Sequence, residues 1–165
     1  MNQDLEGERL KSPEEEQAKL NILVVDDEPN ISTLMERFIG KSTVASQVGL
    51  IQKAVDGQEA FDILENNKGK FNVVVTDGQM PRMGGLELAK KIKASGEDIV
   101  VGLMSGNMNE LGLSDPKTQA SVMRDYGIAA VLPKPFNRQQ VSEFMGKIKD
   151  IGEAKNSAVV QSQTP

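Results

Sequence analysis

Apolar residues occur in short continuous runs separated by amphipathic stretches, and this pattern predicts strands and helices in alternation. The most apolar runs are residues 22–25, 73–75 and 99–104. Runs that are apolar at every position are typical of strands buried on both faces of a sheet. Two further strands are predicted at residues 48–54 and 129–132.

Helical periodicity follows each predicted strand. After the first strand, one apolar helix face is formed at spacing i, i+3, i+4, i+7 and i+8 by Ile31, Leu34, Met35, Phe38 and Ile39. Further helices are predicted around residues 60–64, 86–92, 117–126 and 141–151. Residues 106–116 contain Gly, Asn, Ser, Asp and Pro, which predicts a loop.

Five strand–helix repeats predict one α/β domain over residues 21–151, with a parallel sheet and helices on both of its faces. Residues 1–20 are predicted to be an acidic, flexible N-terminal arm, in which Ser12 and Pro13 resemble a helix start. Residues 152–165 are polar and small, and we expect a flexible C-terminal tail.

Charged and hydroxyl side chains stand directly after four of the five predicted strands. Asp26 and Asp27 follow the first strand, Asp77 the third, Ser105 the fourth and Lys134 the fifth. In parallel sheets the carboxyl ends of the strands share one edge, which is where ligands bind. The pattern therefore predicts that these side chains gather at one site.

Such a set of side chains favours phosphoryl chemistry assisted by a cation. Carboxylates 4 Å apart repel each other by roughly 4 kcal/mol at an effective dielectric near 20. Mg²⁺ or Mn²⁺ would relieve this repulsion with oxygen ligands, and one carboxylate would be a nucleophile toward phosphorus. Each of these residues has a simpler explanation when it is taken alone. Asp26 and Asp27 are favourable at a helix N-terminus, Ser105 is typical of a loop, and Lys134 is typical of a solvated surface charge. Their joint occurrence, in order, favours the site.

Composition narrows the classes of function. The 165-residue chain has no cysteine and no histidine, which excludes disulfides, thiolate metal sites, Ser–His triads and phosphohistidine carriers. A net charge of −5 and the absence of tryptophan argue against nucleic acid or anionic lipid as a partner. The chain also lacks a secretion signal and an apolar run of roughly 20 residues. We expect a cytoplasmic protein with protein partners and no membrane contact.

Five strings along the chain carry a resemblance to a known family. They are Ile-Leu-Val-Val-Asp-Asp-Glu at 22–28, Asp-Gly-Gln-Glu-Ala at 56–60, Asp-Gly-Gln-Met-Pro-Arg-Met-Gly-Gly at 77–85, Leu-Met-Ser-Gly at 103–106 and Lys-Pro-Phe at 134–136. With these strings the chain resembles a response regulator receiver domain of two-component phosphorelays, of the stand-alone type. The resemblance implies a flavodoxin-like (βα)5 fold, with five parallel strands in a doubly wound sheet.

The resemblance also implies a metal-assisted phosphoacceptor site. Asp77 would accept the phosphoryl group, and Asp26 and Asp27 would form the acidic pair. Asp27, Asp77 and the backbone carbonyl of Gln79 would be the direct ligands of Mg²⁺ or Mn²⁺.

Ser105 and Lys134 would contact the phosphoryl group, and the Lys134–Pro135 bond is the candidate for a cis peptide. The implied donor is a phosphohistidine on a histidine kinase or a histidine phosphotransfer protein. The implied output is contact with a downstream protein target. No enzymatic activity is expected apart from self-phosphoryl transfer and autodephosphorylation.

Departures from the family pattern keep two other functions open. Val131 stands three residues before Lys134, where an aromatic residue is usual, and the stretch around residues 107–119 is long. Val131 favours a pseudo-receiver that binds a partner without phosphorylation. A Mg²⁺-dependent aspartyl phosphohydrolase is the other alternative, but such enzymes usually have a second aspartate where this chain has Gln79. The 14 residues after Ile151 are too few for an output domain, and none is expected there.

Overall fold

The computed structural model describes residues 19–162, in which five strands alternate with five α-helices. The strands are β1 (Leu20–Val25), β2 (Val48–Ala54), β3 (Val73–Asp77), β4 (Val100–Ser105) and β5 (Ile128–Pro133). The helices are α1 (Pro29–Ile39), α2 (Gly57–Asn66), α3 (Gly85–Ser95), α4 (Pro116–Tyr126) and α5 (Arg138–Ser162). A 3₁₀ turn, Ala45–Gln47, precedes β2. The predicted order of elements is confirmed.

The strands form one fully parallel sheet in the order β2-β1-β3-β4-β5. This is the doubly wound, flavodoxin-like arrangement that the resemblance implies. The order in which strands are added changes side at β1: β2 lies on one side of it, and β3, β4 and β5 follow on the other. Val25 at the end of β1 is the register partner of Thr76 in β3. The crevice at the carboxyl ends of these two strands is where open α/β sheets bind ligands.

Two hydrophobic clusters cover the two faces of the sheet. On one face, α1 and α5 pack through apolar side chains that include Met35, Ile39, Phe144 and Ile148. On the other face, α2 and α3 contribute Ala60, Leu64, Leu88 and Ile92. Helix α4 differs from the others because none of its residues is buried. Apart from Asn21 at the start of β1, the polar side chains of the three central strands lie at their carboxyl ends.

The C-terminal helix is longer than the sequence pattern indicates. Residues 152–162, for which a loose tail is expected from their composition, continue α5 in regular helix to Ser162. At about 1.5 Å per residue, its 25 residues span about 37 Å, so α5 extends beyond the sheet. The sequence pattern does not indicate this continuation of the helix, which small polar residues tolerate once α5 is nucleated by its packed half. That the segment is flexible remains a prediction.

The predicted boundaries of the domain remain predictions. The helix start at Ser12 and most of the N-terminal arm lie outside the described residues. Within residues 19–162, no helix is long and apolar enough to span a membrane.

Candidate functional site

Four strand ends bring the predicted side chains together at one edge of the sheet. Asp26 directly follows β1, Asp77 ends β3, Ser105 ends β4, and Lys134 directly follows β5. Because β1 and β3 are neighbours, Asp26 and Asp77 lie side by side. Both carboxylates are buried, at 1% and 7% residue exposure.

Lys134 joins the two buried carboxylates. Its ammonium donates to Asp26 Oδ2 at 2.8 Å and to Asp77 Oδ1 at 3.0 Å. Burial raises the pKa of Asp77, and the Asp26 charge adds to this rise, whereas the hydrogen bond from Lys134 opposes it. Burial lowers the pKa of Lys134, but its bonds to Asp26 and Asp77 outweigh that effect and leave the pKa above its usual value. Lys134 therefore stays charged and offsets the repulsion between the two carboxylates.

Asp27 completes a cluster of three carboxylates. Asp26, Asp27 and Asp77 each offer an oxygen, and these oxygens lie within 4.8 Å of one another. Asp27 is exposed while the other two are buried, so the cluster opens to solvent on the Asp27 side. A compact set of oxygen donors with one open side fits a hard divalent cation such as Mg²⁺ or Mn²⁺, which keeps water or substrate oxygens as its other ligands.

A cleft of about 270 Å³ lies over these side chains. It is lined by Asp27, Glu28, Asp77, Gln79, Ser105, Gly106, Asn107 and Lys134. The Ser105 side chain is buried, and its Oγ accepts a hydrogen bond from the backbone N–H of Asn107 at 3.0 Å. Its hydroxyl hydrogen is thus available to donate to an anion in the cleft.

Gln79 is an exposed residue that lines the cleft. Its side chain has a partner that the sequence does not indicate: Nε2 donates to Glu110 Oε2 at 2.5 Å. These two residues are 31 positions apart, and Glu110 belongs to the segment between β4 and α4. No local pattern could have indicated this pair, since both side chains are polar, exposed and in loops.

A second unpredicted contact holds the loop that follows the phosphoacceptor candidate. Asp56 caps the start of α2 by accepting from the Glu59 N–H at 2.9 Å. Its other oxygen accepts from Arg82 Nε at 2.6 Å, and Arg82 Nη2 also pairs with it. Burial raises the pKa of Asp56, but the Glu59 N–H and Arg82 outweigh it and hold the pKa below its usual value. The capping position of Asp56 is visible in the sequence, whereas Arg82 as its partner is not.

Close backbone approach explains the two adjacent glycines of the same loop. A Cβ at Gly85 would collide with the carbonyl oxygen of Asp77, and one at Gly84 would lie 2.9 Å from that of Gly78. Helix α3 can therefore start directly against the end of β3. On the far side of the cleft, the Lys134–Pro135 peptide is cis, as predicted.

Comparisons with known proteins agree with this geometry. The family model of the response regulator receiver domain matches residues 22–145. The chain is 30% identical over 141 residues to a chemotaxis protein CheY homolog of Campylobacter jejuni, covering 84% of this chain and 99% of that protein. It is 28% identical over 122 residues to response regulator MprA of Mycobacterium sp. (strain KMS), covering 74% and 47%. The chain thus spans about half the length of MprA.

Solved structures share the fold. A response regulator receiver domain protein from Clostridium thermocellum superposes with a TM-score of 0.65 at 21% identity, covering 82% of this chain and 98% of that one. Chemotaxis protein CheY4 of Vibrio cholerae superposes with a TM-score of 0.63 at 20% identity, covering 79% and 99%. The family match, the five-stranded fold and the acidic cluster at the carboxyl ends of β1 and β3 all lead to the same conclusion: this chain belongs to the response regulator receiver domain family.

Proposed function

We propose that the protein is a phosphorylation-dependent signalling switch that accepts a phosphoryl group on Asp77. The observation that carries this proposal is the juxtaposition of Asp77 with Asp26, Asp27 and Lys134 under an open cleft. Of the three carboxylates, Asp77 is the one that both lines the cleft and bonds to Lys134. Asp26 bonds to Lys134 but lies beneath the cleft, and Asp27 lies at its exposed side.

In the proposed transfer, an oxygen of Asp77 attacks phosphorus in line with the bond that breaks. The donor is a phosphohistidine of a histidine kinase or a histidine phosphotransfer protein, because this chain has no histidine of its own. The Oδ–P bond forms as the N–P bond breaks, and the electron pair of that bond stays with the leaving imidazole of the donor. Lys134 and the Ser105 hydroxyl line the same cleft and would hold phosphoryl oxygens.

A divalent cation bound directly by Asp27, Asp77 and the Gln79 carbonyl, with Asp26 beside it as the second acid of the pair, would neutralise charge on the carboxylates and the phosphoryl group. The residues of this chain keep their own roles beside it. Lys134 offsets the charge of Asp26 and Asp77 before transfer. After transfer, its ammonium can move to the new phosphoryl oxygens, because they lie where the Asp77 carboxylate was its partner.

The proposed output is contact with a downstream protein in the cytoplasm. Helix α4 offers the surface most easily altered, because it buries no residue. We also propose that the chain acts as a stand-alone regulator.

Intact-mass measurement with Mg²⁺ and acetyl phosphate or phosphoramidate tests the proposal. The wild-type protein is expected to gain one phosphoryl group, and Asp77→Asn none, because the amide keeps the shape but is not a nucleophile. Asp98→Asn is the matched control: it also removes one carboxylate, but Asp98 is exposed just before β4, at the opposite edge of the sheet. This variant is expected to gain mass like the wild type.

Two other results would contradict the proposal. A folded wild-type chain that gains no mass would favour a pseudo-receiver that binds its partner without phosphorylation. Steady turnover of unrelated phosphate esters would favour a phosphohydrolase. Gln79 argues against the latter, because an amide stands at the position where such enzymes usually have a second aspartate.

A further inference from the structure

The segment between β4 and α4, residues 106–115, touches the phosphoacceptor edge at three points. The N–H of Asn107 donates to Ser105 Oγ, and Glu110 accepts from Gln79 at 2.5 Å. The Leu111 side chain packs against the backbone of Gly78, the residue that follows Asp77. A Cβ built on Gly78 would lie 2.5 Å from Leu111 Cδ1. The segment therefore bridges the ends of β3 and β4 along the rim of the cleft.

This segment is folded on itself and anchored to the core. The Leu113 N–H donates to the Met108 carbonyl at 2.8 Å, and the Gly112 N–H donates to Asn109 at 3.1 Å. Gly112 has a φ of 69°, a conformation that other residues adopt at a cost. Leu113 is 2% exposed within the cluster on the α2–α3 side of the sheet. With both of its ends fixed, the segment presents Glu110 and Leu111 to β3 in one defined position.

We propose that residues 106–115 form a latched cover over the phosphoacceptor edge and that Glu110 is a positioning residue which sets the lifetime of the phosphorylated state. This inference rests on the proposed function of Asp77. Glu110 does not line the cleft itself; it acts by holding the side chain of Gln79, which does. Leu111 adds an apolar contact that keeps water from the Gly78 backbone.

The step that the latch limits is hydrolysis of the aspartyl phosphate. A water oxygen attacks phosphorus and forms a new P–O bond while the bond to the Asp77 oxygen breaks. The carboxylate leaves with the electron pair, and the water protons pass to solvent or to the released phosphate. An in-line water must enter opposite the Asp77 oxygen, through the cleft whose lining includes Gln79 and Asn107.

Three features make the latch slow this entry. The bond between Gln79 and Glu110 ties the loop after β3 to the segment after β4, so Gln79 cannot swing freely to orient a water. Leu111 excludes water from the adjacent backbone. The Glu110 carboxylate adds negative charge beside a rim that already faces Asp27 and Glu28, and this charge disfavours hydroxide-like character in the attacking water.

The experiment compares decay of the phosphorylated protein, followed by intact mass after removal of the phosphodonor, in wild type, Glu110→Ala and Glu110→Gln. Loss of one charge-assisted hydrogen bond is expected to accelerate decay roughly three- to tenfold in Glu110→Ala. Glu110→Gln should fall between this variant and wild type, because its amide oxygen still accepts from Gln79 without the charge. Asp98→Asn is the control for loss of one negative charge and should decay at the wild-type rate.

A second measurement needs neither metal nor phosphate. Amide hydrogen exchange of residues 108–113 in the unphosphorylated, magnesium-free protein should increase in Glu110→Ala, while exchange in β1 and β3 stays unchanged. Unchanged decay in both Glu110 variants, or slower decay, would overturn the inference. Failure of the proposed function would look different, since the wild type would then gain no phosphoryl group at all. In that case unchanged exchange in Glu110→Ala would overturn the latch, and increased exchange would support it.

Discussion

Single side chains at the acidic edge differ in what they contribute to stability and to chemistry. Lys134 is the cation between two buried carboxylates, whereas Asp27 is exposed. Removal of a charge from a buried ion pair typically costs about 3–5 kcal/mol, because its partners are left uncompensated. Removal of an exposed charge typically costs less than about 0.5 kcal/mol. The two residues therefore allow the structural and chemical roles of the site to be separated.

The first prediction is that Lys134→Ala mainly lowers the stability of the fold, whereas Asp27→Ala mainly lowers Mg²⁺ binding and phosphorylation. Lys134→Ala should lose about 3 kcal/mol of unfolding free energy in urea but keep its carboxylate ligands. Asp27→Ala should unfold like the wild type, yet bind Mg²⁺ more weakly and fail to become phosphorylated. Urea denaturation and Mg²⁺ titration measure the two effects. Equal Mg²⁺ affinity in Asp27→Ala and wild type would contradict the assignment of Asp27 as a ligand.

A second prediction concerns acid stability through Asp56. Because its pKa in the folded protein lies below the ordinary value of 3.8, its ionised form stabilises the fold above that pH. This contribution is lost as the pH falls through the lowered value. Asp56→Asn keeps a capping side chain for α2 but loses the charge that pairs with Arg82. It should cost about 1 kcal/mol at pH 7.

Urea denaturation of both proteins at pH 7 and at a series of pH values descending from 3.8 measures this effect. The difference in unfolding free energy should shrink as the pH falls through the lowered pKa of Asp56, since both side chains are neutral below it. A difference that stays constant with pH would mean that Asp56 acts through shape alone.

The third prediction uses two glycines with opposite surroundings. A side chain at Gly85 collides with the Asp77 carbonyl, whereas nothing lies within 4 Å of a Cβ at Gly146 in α5. Gly85→Ala should destabilise the fold by about 1–3 kcal/mol and disturb the Asp77 backbone. Gly146→Ala should stabilise it by about 0.5–1 kcal/mol, because alanine is the better helix former. Thermal unfolding distinguishes the two, and equal shifts would contradict the close approach at Gly85.

Among the helices, α4 is the one most easily displaced. It has no buried residue, and part of its attachment is the Lys93 ammonium, which donates to the carbonyls of Arg124 and Asp125 at 3.0 and 3.1 Å. The segment before it is bonded to Ser105 through Asn107. Movement of the Ser105 hydroxyl toward a phosphoryl group would therefore be transmitted directly to this segment.

The fourth prediction is that phosphorylation is read out mainly in residues 106–119 and the rest of α4. Val131 is β-branched and half-buried, so its side chain has few rotamers to exchange when Ser105 moves. Backbone NMR shifts with and without beryllofluoride, a mimic of the phosphoryl group, measure the response. Changes outside the acidic cleft that fall mainly around Val131 and in α5, with residues 106–119 unmoved, would contradict this prediction.

For the whole molecule, the core and the far end of α5 should contribute very differently to stability. Phe144 and Ile148 are buried against the sheet, whereas residues 153–162 are exposed. Our fifth prediction is that a chain ending at Gly152 folds with less than about 1 kcal/mol lost and is phosphorylated normally. Phe144→Ala should cost about 3–5 kcal/mol in the full chain. A large loss on truncation would show that the extended helix packs on the domain.

Local sequence patterns were sufficient for the order of elements and for most of the core. Continuous apolar runs identified β1, β3 and β4 because both faces of a central parallel strand are covered by helices. Period 3.6 identified α1 and the packed half of α5 for the same reason. The patterns failed past Gly152, where the helix continues without an apolar face. Hydrophobic periodicity reports burial, so it cannot detect a helix that extends into solvent.

The sequence by itself determined the fold class and the membership of the acidic cluster. Both depend on patterns that can be recognised segment by segment, because each strand is identified from its own residues. The carboxyl ends of parallel strands then share one edge of the sheet. Only the tertiary structure decided which of those side chains touch. Lys134 bonds to Asp26 across 108 positions, Arg82 to Asp56 across 26, and Gln79 to Glu110 across 31. Such pairs depend on strand order and on the paths of loops, which are set by packing over the whole sheet and leave no periodic trace in the sequence.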